Sequence, residues 1–254
     1  MKDTLDYIEA VMNETSLEAL WDRHVLRMAD YGFDKIIYGY TNFRSGLSLG
    51  DVEDFFILSN HSRDYLDKFL GEGLYFHGPM MNWTLKNTGA QSWNIAHKAM
   101  QSGQLSDRQR QVYEVNQQYG MHAGYTISFP TVSSRTKGAI SLGAHQDLSQ
   151  HDVDEIWARK GRGIELINNV AHLKIHSLPY TNPERELTKR QREVLEWVGD
   201  GKTIQDIATL IGRTPATVEK HLRLARDSMN VETTAQALLK ASFMHQIYLP
   251  ESQT

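Results

Sequence analysis

The chain has 254 residues, with 27 basic and 31 acidic side chains for a formal charge of −4, 40% hydrophobic residues and no cysteine. That length accommodates one large domain or two unequal ones with a substantial core. The missing thiols exclude disulfides, thiolate metal sites and a cysteine nucleophile, and the acidic balance excludes a chain coated in positive charge while leaving room for a local basic face.

The N-terminal stretch MKDTLDYIEAVMNET is acidic and amphipathic, without the basic start and unbroken apolar core of a signal peptide. No run approaches the ~18 apolar residues of a bilayer span. A cytoplasmic protein with no membrane partner is expected. Residues 3–12 and 16–30 carry apolar side chains at helical spacing, with Leu17, Leu20, Trp21, His24 and Val25 marking the second stripe. Phe33–Thr41 (FDKIIYGYT) and Asp54–Ser59 (DFFILS) read as strands, as do Gly124–Val132 and Lys137–Ala144 on either side of a polar turn. A helix over about 105–119 precedes that pair, and a long helix over about 150–176 follows it. Helices around a sheet built largely from hairpins predict an α-β-α sandwich with a mainly antiparallel sheet. Ser177-Leu178-Pro179-Tyr180-Thr181-Asn182-Pro183 has two prolines and no apolar period, the pattern of a linker. Beyond Leu187 the periodicity is helical throughout. The predicted class is α+β, with boundaries at 1–176, 177–186 and 187–254.

Gly201-Lys202-Thr203 spells the tail of a phosphate-binding loop. The position of that motif's first glycine is Glu196, a carboxylate inside a stretch of helical rather than strand period, so the match is read as a turn. Thr188 as cap and Gln191 three positions on start the preceding helix, and Gly201 is expected to adopt a left-handed conformation after it. A short helix follows over 203–211 with Ile204, Ile207, Ala208 and Ile211 inward. Gly212-Arg213 turns the chain, and Thr214 caps a helix over 215–229 with Pro215 at its first position. Val218, Leu222, Ala225 and Met229 form one stripe of that helix. Ala216, Lys220, Arg223 and Asp227 form the opposite face, flanked by Glu219 and Arg226.

Two short helices across a tight turn, the second polar outside, describe a helix-turn-helix. Its outer helix suits the major groove of double-stranded DNA. Lys220 and Arg223 are long enough for base edges, with Glu219 beside them, while Thr214, Thr217 and the helix N-terminus suit phosphates. Residues 187–230 hold eight basic and six acidic side chains, a net of +2, so affinity is expected to rest on dimerisation and geometry more than on bulk charge.

The segment LTKRQREVLEWVGDGKTIQDIATLIGRTPATVEKHLRLARDSMNV (187–231) closely resembles the C-terminal helix-turn-helix of LuxR-type regulators. The shared pattern is L-T-x-R-x-R-E-V-L, then W, G-K-T, I-A and T-V-x-x-H. Lys189 and Gln191 stand where that family usually has proline and glutamate. Upstream, Tyr31-Gly32-Phe33, Asn60, Pro79, Trp93, Tyr119-Gly120 and Gly124 fall in register with the acyl-homoserine-lactone-binding domain of the quorum-sensing branch.

Counting back from Trp93, the resemblance implies head-group positions. The usual tryptophan that contacts the lactone carbonyl is Tyr65, the usual tyrosine after it is Phe69, and an earlier tyrosine position is His61. The usual aspartate that accepts the ligand amide N–H is Gly78. Thr126 and Ser141 match small polar pocket residues. Gly78 has no side chain to accept with, and His77 becomes the substitute acceptor if the loop shifts by one residue. The implied ligand set is therefore His61, Tyr65, Phe69, His77, Trp93, Thr126 and Ser141.

No other constellation competes. His145-Gln146-Asp147 and His151-Asp152 lack the convergence of a metal site, and nothing resembles G-x-S-x-G. The βα rhythm of a phosphoryl-receiver domain is absent. No cofactor, metal or catalytic residue is expected. The chain is expected to be a homodimeric transcription regulator. Residues 1–176 bind a small, largely apolar signal, an acyl-homoserine lactone or a related molecule, and dimerise. The 150–176 helix and Ala237, Leu238, Ala241 and Met244 of the last helix (234–244) make the dimer contacts. Residues 187–254 read an inverted repeat. A ligand-independent dimeric regulator is the alternative.

Overall fold

The computed structural model describes residues 2–46, 48–131, 133–178 and 185–248. Residues 179–184 of the expected linker, and Val132 at the end of an expected strand, lie outside the described residues. The chain divides into two compact units, Met1–His176 and Ser177–Thr254. Among the described residues no helix is long and apolar enough to cross a membrane.

The first unit opens with α1 (Lys2–Asn13) and α2 (Leu17–Ala29), the latter capped by Ser16, whose Oγ accepts from Ala19 N. Strand β1 (Phe33–Thr41) follows, then β2 (Phe56–Ser59), α3 (Arg63–Leu66) and α4 (Pro79–Lys86). Next come β3 (Gly89–Ser92), α5 (Asn94–Gln101) and α6 (Asp107–Gln118). Strands β4 (Gly124–Ser128) and β5 (Lys137–Ala144) and the long α7 (Gln150–Ile175) complete the unit. The sheet order is β2-β1-β5-β4-β3, with every neighbouring pair antiparallel.

Two expected strands are shorter than their sequences suggested. Asp51 caps a 3-10 turn at Val52–Asp54, its carboxylate accepting from Glu53 N, so pairing begins only at Phe56. After Ser128, Phe129 N still reaches Gly138 O, and the paired strand ends there. Strand β3 has no apolar alternation (Gly-Ala-Gln-Ser) and was not anticipated; it pairs only with β4 as an edge.

Strand alternation divides the sheet into two faces. Ile36, Tyr38, Ile140 and Leu142 are buried on one face, toward α7, where the Tyr38 hydroxyl lies 2.8 Å from His172 Nδ1. On β4 of the same face, Tyr125 stacks on Trp157 of α7 at 3.9 Å between ring centroids. Ile37, Gly39, Thr41, Ala139, Ser141 and Thr126 point to the other face, which α3–α6 cover. The expected α-β-α sandwich is therefore formed, and its second interface is hollow.

In the second unit, α8 (Lys189–Gly199) starts with a full capping box between Thr188 and Gln191. Gly201 turns the chain at φ +80°, and α9 (Ile204–Leu210) begins with a second box between Thr203 and Asp206. Thr214 caps α10 (Pro215–Met229), and α11 (Thr234–Phe243) closes the unit. Val218, Leu222, Ala225 and Met229 are buried with Val194, Leu195, Ile207 and Ala208 in one core. Ala237 and Ala241 are buried in that same core, with Leu238 and Met244 packed against it. For Ala237 and Ala241 the expectation of a contact with a second subunit is thus corrected: they are buried in their own bundle, with Leu238 and Met244 half-buried beside them. The large apolar side chains that α11 exposes are Leu239 and Phe243.

Candidate functional site

The hollow interface holds a cavity of about 160 Å³ floored by β1, β5 and β4 and roofed by α3–α6. Three paired rungs form its floor: Ile37–Ser141, Gly39–Ala139 and Thr41–Lys137. At the Ser141 end the polar groups form a chain. Trp93 Nε1 donates to Thr126 Oγ1 at 2.9 Å, and Thr126 Oγ1 lies 3.2 Å from Ser141 Oγ. Gly124 makes this possible: a side chain there would run into the Leu142 carbonyl and the Trp93 ring.

Tyr65 and Phe69 also line the cavity. Tyr65 is 1% exposed and its hydroxyl donates to Asn116 Oδ1 at 3.0 Å. Burial raises the Tyr65 phenol well above its ordinary range, so it stays a donor. The rings at 61, 65 and 69 lie in series, His61 tilted against Tyr65 with centroids 4.6 Å apart and Tyr65 stacked on Phe69 at 5.1 Å. Tyr65 stands between the other two, so His61 does not reach the cavity. Its Nε2 is buried without a hydrogen bond, and burial, with a smaller contribution from Lys35, lowers its pKa to about 4.

His77 is also outside the cavity. The 3-10 turn Leu74–His77 directs Leu74 and Tyr75 inward and leaves Phe76 and His77 exposed, while Gly78 itself forms part of the cavity wall. The one-residue shift that would bring His77 in does not occur. A Cβ built on Gly78 meets only ordinary contacts, with Tyr75 O at 3.5 Å and Val112 Cγ1 at 3.7 Å, so space does not require glycine there. The structure thus brings together Tyr65, Phe69, Trp93, Thr126 and Ser141, and leaves out His61 and His77.

Sequence reading missed Asn116, His97, Tyr113 and Lys137, all of which line the cavity. Asn116 was open to detection, as a polar residue on the apolar stripe of Val112 and Val115 in α6 and Tyr119 at its C-cap. The Tyr113 hydroxyl lies 2.8 Å from His97 Nδ1, and burial is the largest cause lowering the His97 pKa.

On the second unit, Lys220, Arg223, Glu219 and Thr214 are exposed on α10, and Thr217 is half-buried beside the cap. Thr217 N donates to Thr214 Oγ1 at 3.3 Å, fixing the helix start. Arg223 pairs with Asp227 one turn on at 3.0 Å, and Lys220 stands one turn N-terminal of Arg223 on that face.

A hollow α-β-α unit and a helix-turn-helix on one chain define a class: transcription regulators that join a small-molecule domain to a DNA-binding domain. The profile of the autoinducer binding domain matches residues 16–175, and that of sigma-70 region 4 matches residues 185–229. The chain belongs to the autoinducer-binding-domain family of LuxR-type regulators.

Its relatives include the transcriptional activator LuxR of Aliivibrio fischeri, 23% identical over 226 residues that cover 88% of this chain and 84% of that one. The quorum sensing-dependent transcriptional regulator RpaR of Rhodopseudomonas palustris is 26% identical over 241 residues, 93% of this chain and 91% of that one. SdiA, a protein of Escherichia coli, solved in complex with octanoyl-rac-glycerol, shares the fold. Its TM-score is 0.53 at 15% identity, over 98% of this chain and 97% of that one.

Proposed function

We propose that the chain is a cytoplasmic, homodimeric transcription regulator without enzymatic activity. Its first unit takes a small, largely apolar signal, an acyl-homoserine lactone or a related amphiphile, and its second reads an inverted repeat through α10. The observation that carries this reading is the cavity: largely apolar walls, with Trp93, Thr126 and Ser141 gathered at one polar end and the bonded Tyr65–Asn116 pair also in its lining. A ligand seated there becomes core, and one that binds only the folded chain stabilises it. Dimerisation through α7 is supported by Leu166 and Leu173, 51% and 70% exposed and a heptad apart on that helix. Two recognition helices would then meet half-sites about one DNA turn apart. Gel filtration and footprinting, with and without extracted ligand, test this. A monomer that ignores palindromic DNA under both conditions overturns it.

Tyr65→Phe removes the donor to Asn116 and leaves the ring stack in place. The signal response is expected to weaken, with a stability cost of only about 1–2 kcal/mol for the unpaired amide. An unchanged dose response removes Tyr65 from the ligand set. Gly78→Asp restores the acceptor that the family resemblance places at 78. The backbone there (φ −62°, ψ 134°) and the surrounding space accept a side chain, and the position is the N-cap of α4. Calorimetry is expected to show about tenfold tighter binding of N-octanoyl-homoserine lactone, the value of one good hydrogen bond to a charged group. Unchanged affinity places the amide elsewhere.

One observation favours the alternative of a ligand-independent regulator. Trp93 Nε1 and the Tyr65 hydroxyl already donate to protein acceptors, so the polar end is satisfied without a ligand. Mass spectrometry of denatured, purified protein separates the two readings: no bound molecule alongside full DNA binding favours the alternative.

A further inference from the structure

Lys137 opens β5 at the opposite end of the cavity floor from Ser141. Its side chain lines the cavity, the residue is 7% exposed, and its ammonium donates to Asn87 O at 3.1 Å. An ammonium carries three donors, and no carboxylate among the described residues lies within ion-pair distance of this one. Arg44 is close enough for its charge to help lower the Lys137 pKa, behind the larger effect of burial. Among the described residues the Arg44 guanidinium also meets carbonyls alone, Gly46 O at 3.2 Å and Leu85 O at 3.3 Å. Leu85 and Asn87 end α4, whose terminal dipole offsets about half a charge. Among the described residues, two cations therefore share one partial negative charge.

The cavity is otherwise free of formal charge: no aspartate or glutamate lines it, and Lys137 is its only lysine or arginine among the described residues. The run from Ser141 to Lys137 spans roughly 13 Å at the strand rise. Between its ends lies the Gly39–Ala139 rung, with no polar side chain. The floor is thus polar, apolar, then cationic.

Building on the signal-pocket reading, we propose that the signal is an amphiphile whose apolar body ends in a carboxylate seated on Lys137, with its other polar end at the Trp93–Thr126–Ser141 chain. The carboxylate supplies a counter-charge that none of the described residues provides at this point. A charge-assisted hydrogen bond in a site shielded from water is among the stronger contacts available to a small ligand.

Calorimetric titration of the full chain with N-octanoyl-homoserine lactone and with its ω-carboxylated analogue tests this. The carboxylated probe is expected to bind about ten- to a hundredfold tighter. Lys137→Met should erase that advantage, and Lys137→Arg should keep most of it. The wild-type comparison stands even if Lys137→Met does not fold. Equal binding, or a preference for the methyl-ended probe, overturns the inference and leaves the signal pocket in place. Binding of neither probe overturns both. A folded Lys137→Met protein with a lower melting temperature and an unchanged preference means that Lys137 serves only the end of α4, which also overturns the inference.

Discussion

Unfolding of the first unit is expected to need markedly less urea at pH 5 than at pH 7. Three imidazoles cause this, two buried and one half-buried. His24 is fully satisfied as a neutral ring, with the Tyr7 hydroxyl 2.6 Å from Nδ1 and Asn168 Oδ1 3.0 Å from Nε2. Asn168 Nδ2 donates to Ile164 O at 2.8 Å, which fixes Asn168 Oδ1 as the acceptor for Nε2–H and leaves Nδ1 to accept from the Tyr7 hydroxyl. Burial lowers the His24 pKa to about 4. His172 lies flat on Phe129 at 4.0 Å beside the Tyr38 hydroxyl, and burial, reinforced by the neighbouring His176, lowers its pKa to about 3. His61, near 4, is the third.

Each folded value lies below the unfolded one of about 6.5, so the unfolded chain binds more protons as acid is added. The stabilisation is complete above pH 6.5 and is lost as pH falls toward the folded values. Between pH 7 and pH 5 the loss is about 2 kcal/mol for each imidazole. Urea midpoints followed by tryptophan fluorescence in a Trp197→Phe background report on this unit, because the remaining tryptophans all lie within it. His61→Phe replaces a ring whose Nε2 has no hydrogen bond, and should remove about one third of the pH dependence. Equal midpoints at the two pH values would refute the assignment of neutral, buried rings.

Arg223→Ala is expected to cost about 1–3 kcal/mol of binding at one base pair of the operator, with the fold unchanged. The side chain is exposed on the face of α10 opposite the Val218–Leu222–Ala225–Met229 stripe, so truncating it leaves the bundle core alone. Its pair with Asp227 is solvent-exposed and worth little, and it holds the guanidinium on the outer face. Lys220→Ala, one turn earlier, should add a further loss, and the double variant should lose discrimination between operator and unrelated DNA. Anisotropy titrations against the operator and its single-base variants provide the measurement. Uniform weakening across all sequences, with a shallower salt dependence, would make these residues phosphate contacts instead.

The second unit was nearly complete in its sequence. The Thr188–Gln191 box, the Gly201 turn, Thr214 with Pro215, and the Val218 stripe are each encoded within a few residues of one another, and each forms as its spacing predicts. The last helix was harder. Ala237, Leu238, Ala241 and Met244 make an apolar stripe whether it meets its own bundle or a second chain, and only packing chose the bundle. Within the cavity, Trp93, Thr126 and Ser141 were legible through family register, whereas His61 and His77 were misplaced. Whether a residue beside a 3-10 turn or in a ring stack faces inward depends on its neighbours in space, and spacing along the chain does not record that.

By itself the sequence determined the local elements: capped helices, alternating strands, an antiparallel sheet and a helix-turn-helix with a polar outer face. Caps and apolar periods act over one or two turns, so a short window of chain contains them. Only the tertiary structure decided that the sheet's second face encloses a cavity, that Gly78 rather than His77 forms its wall, and that Lys137 is buried without a carboxylate beside it among the described residues. It also decided that His24 and His172 are held neutral. Those outcomes depend on desolvation and on contacts between groups as far apart in the chain as Ile37 and Ser141, which exist only once the layers have closed.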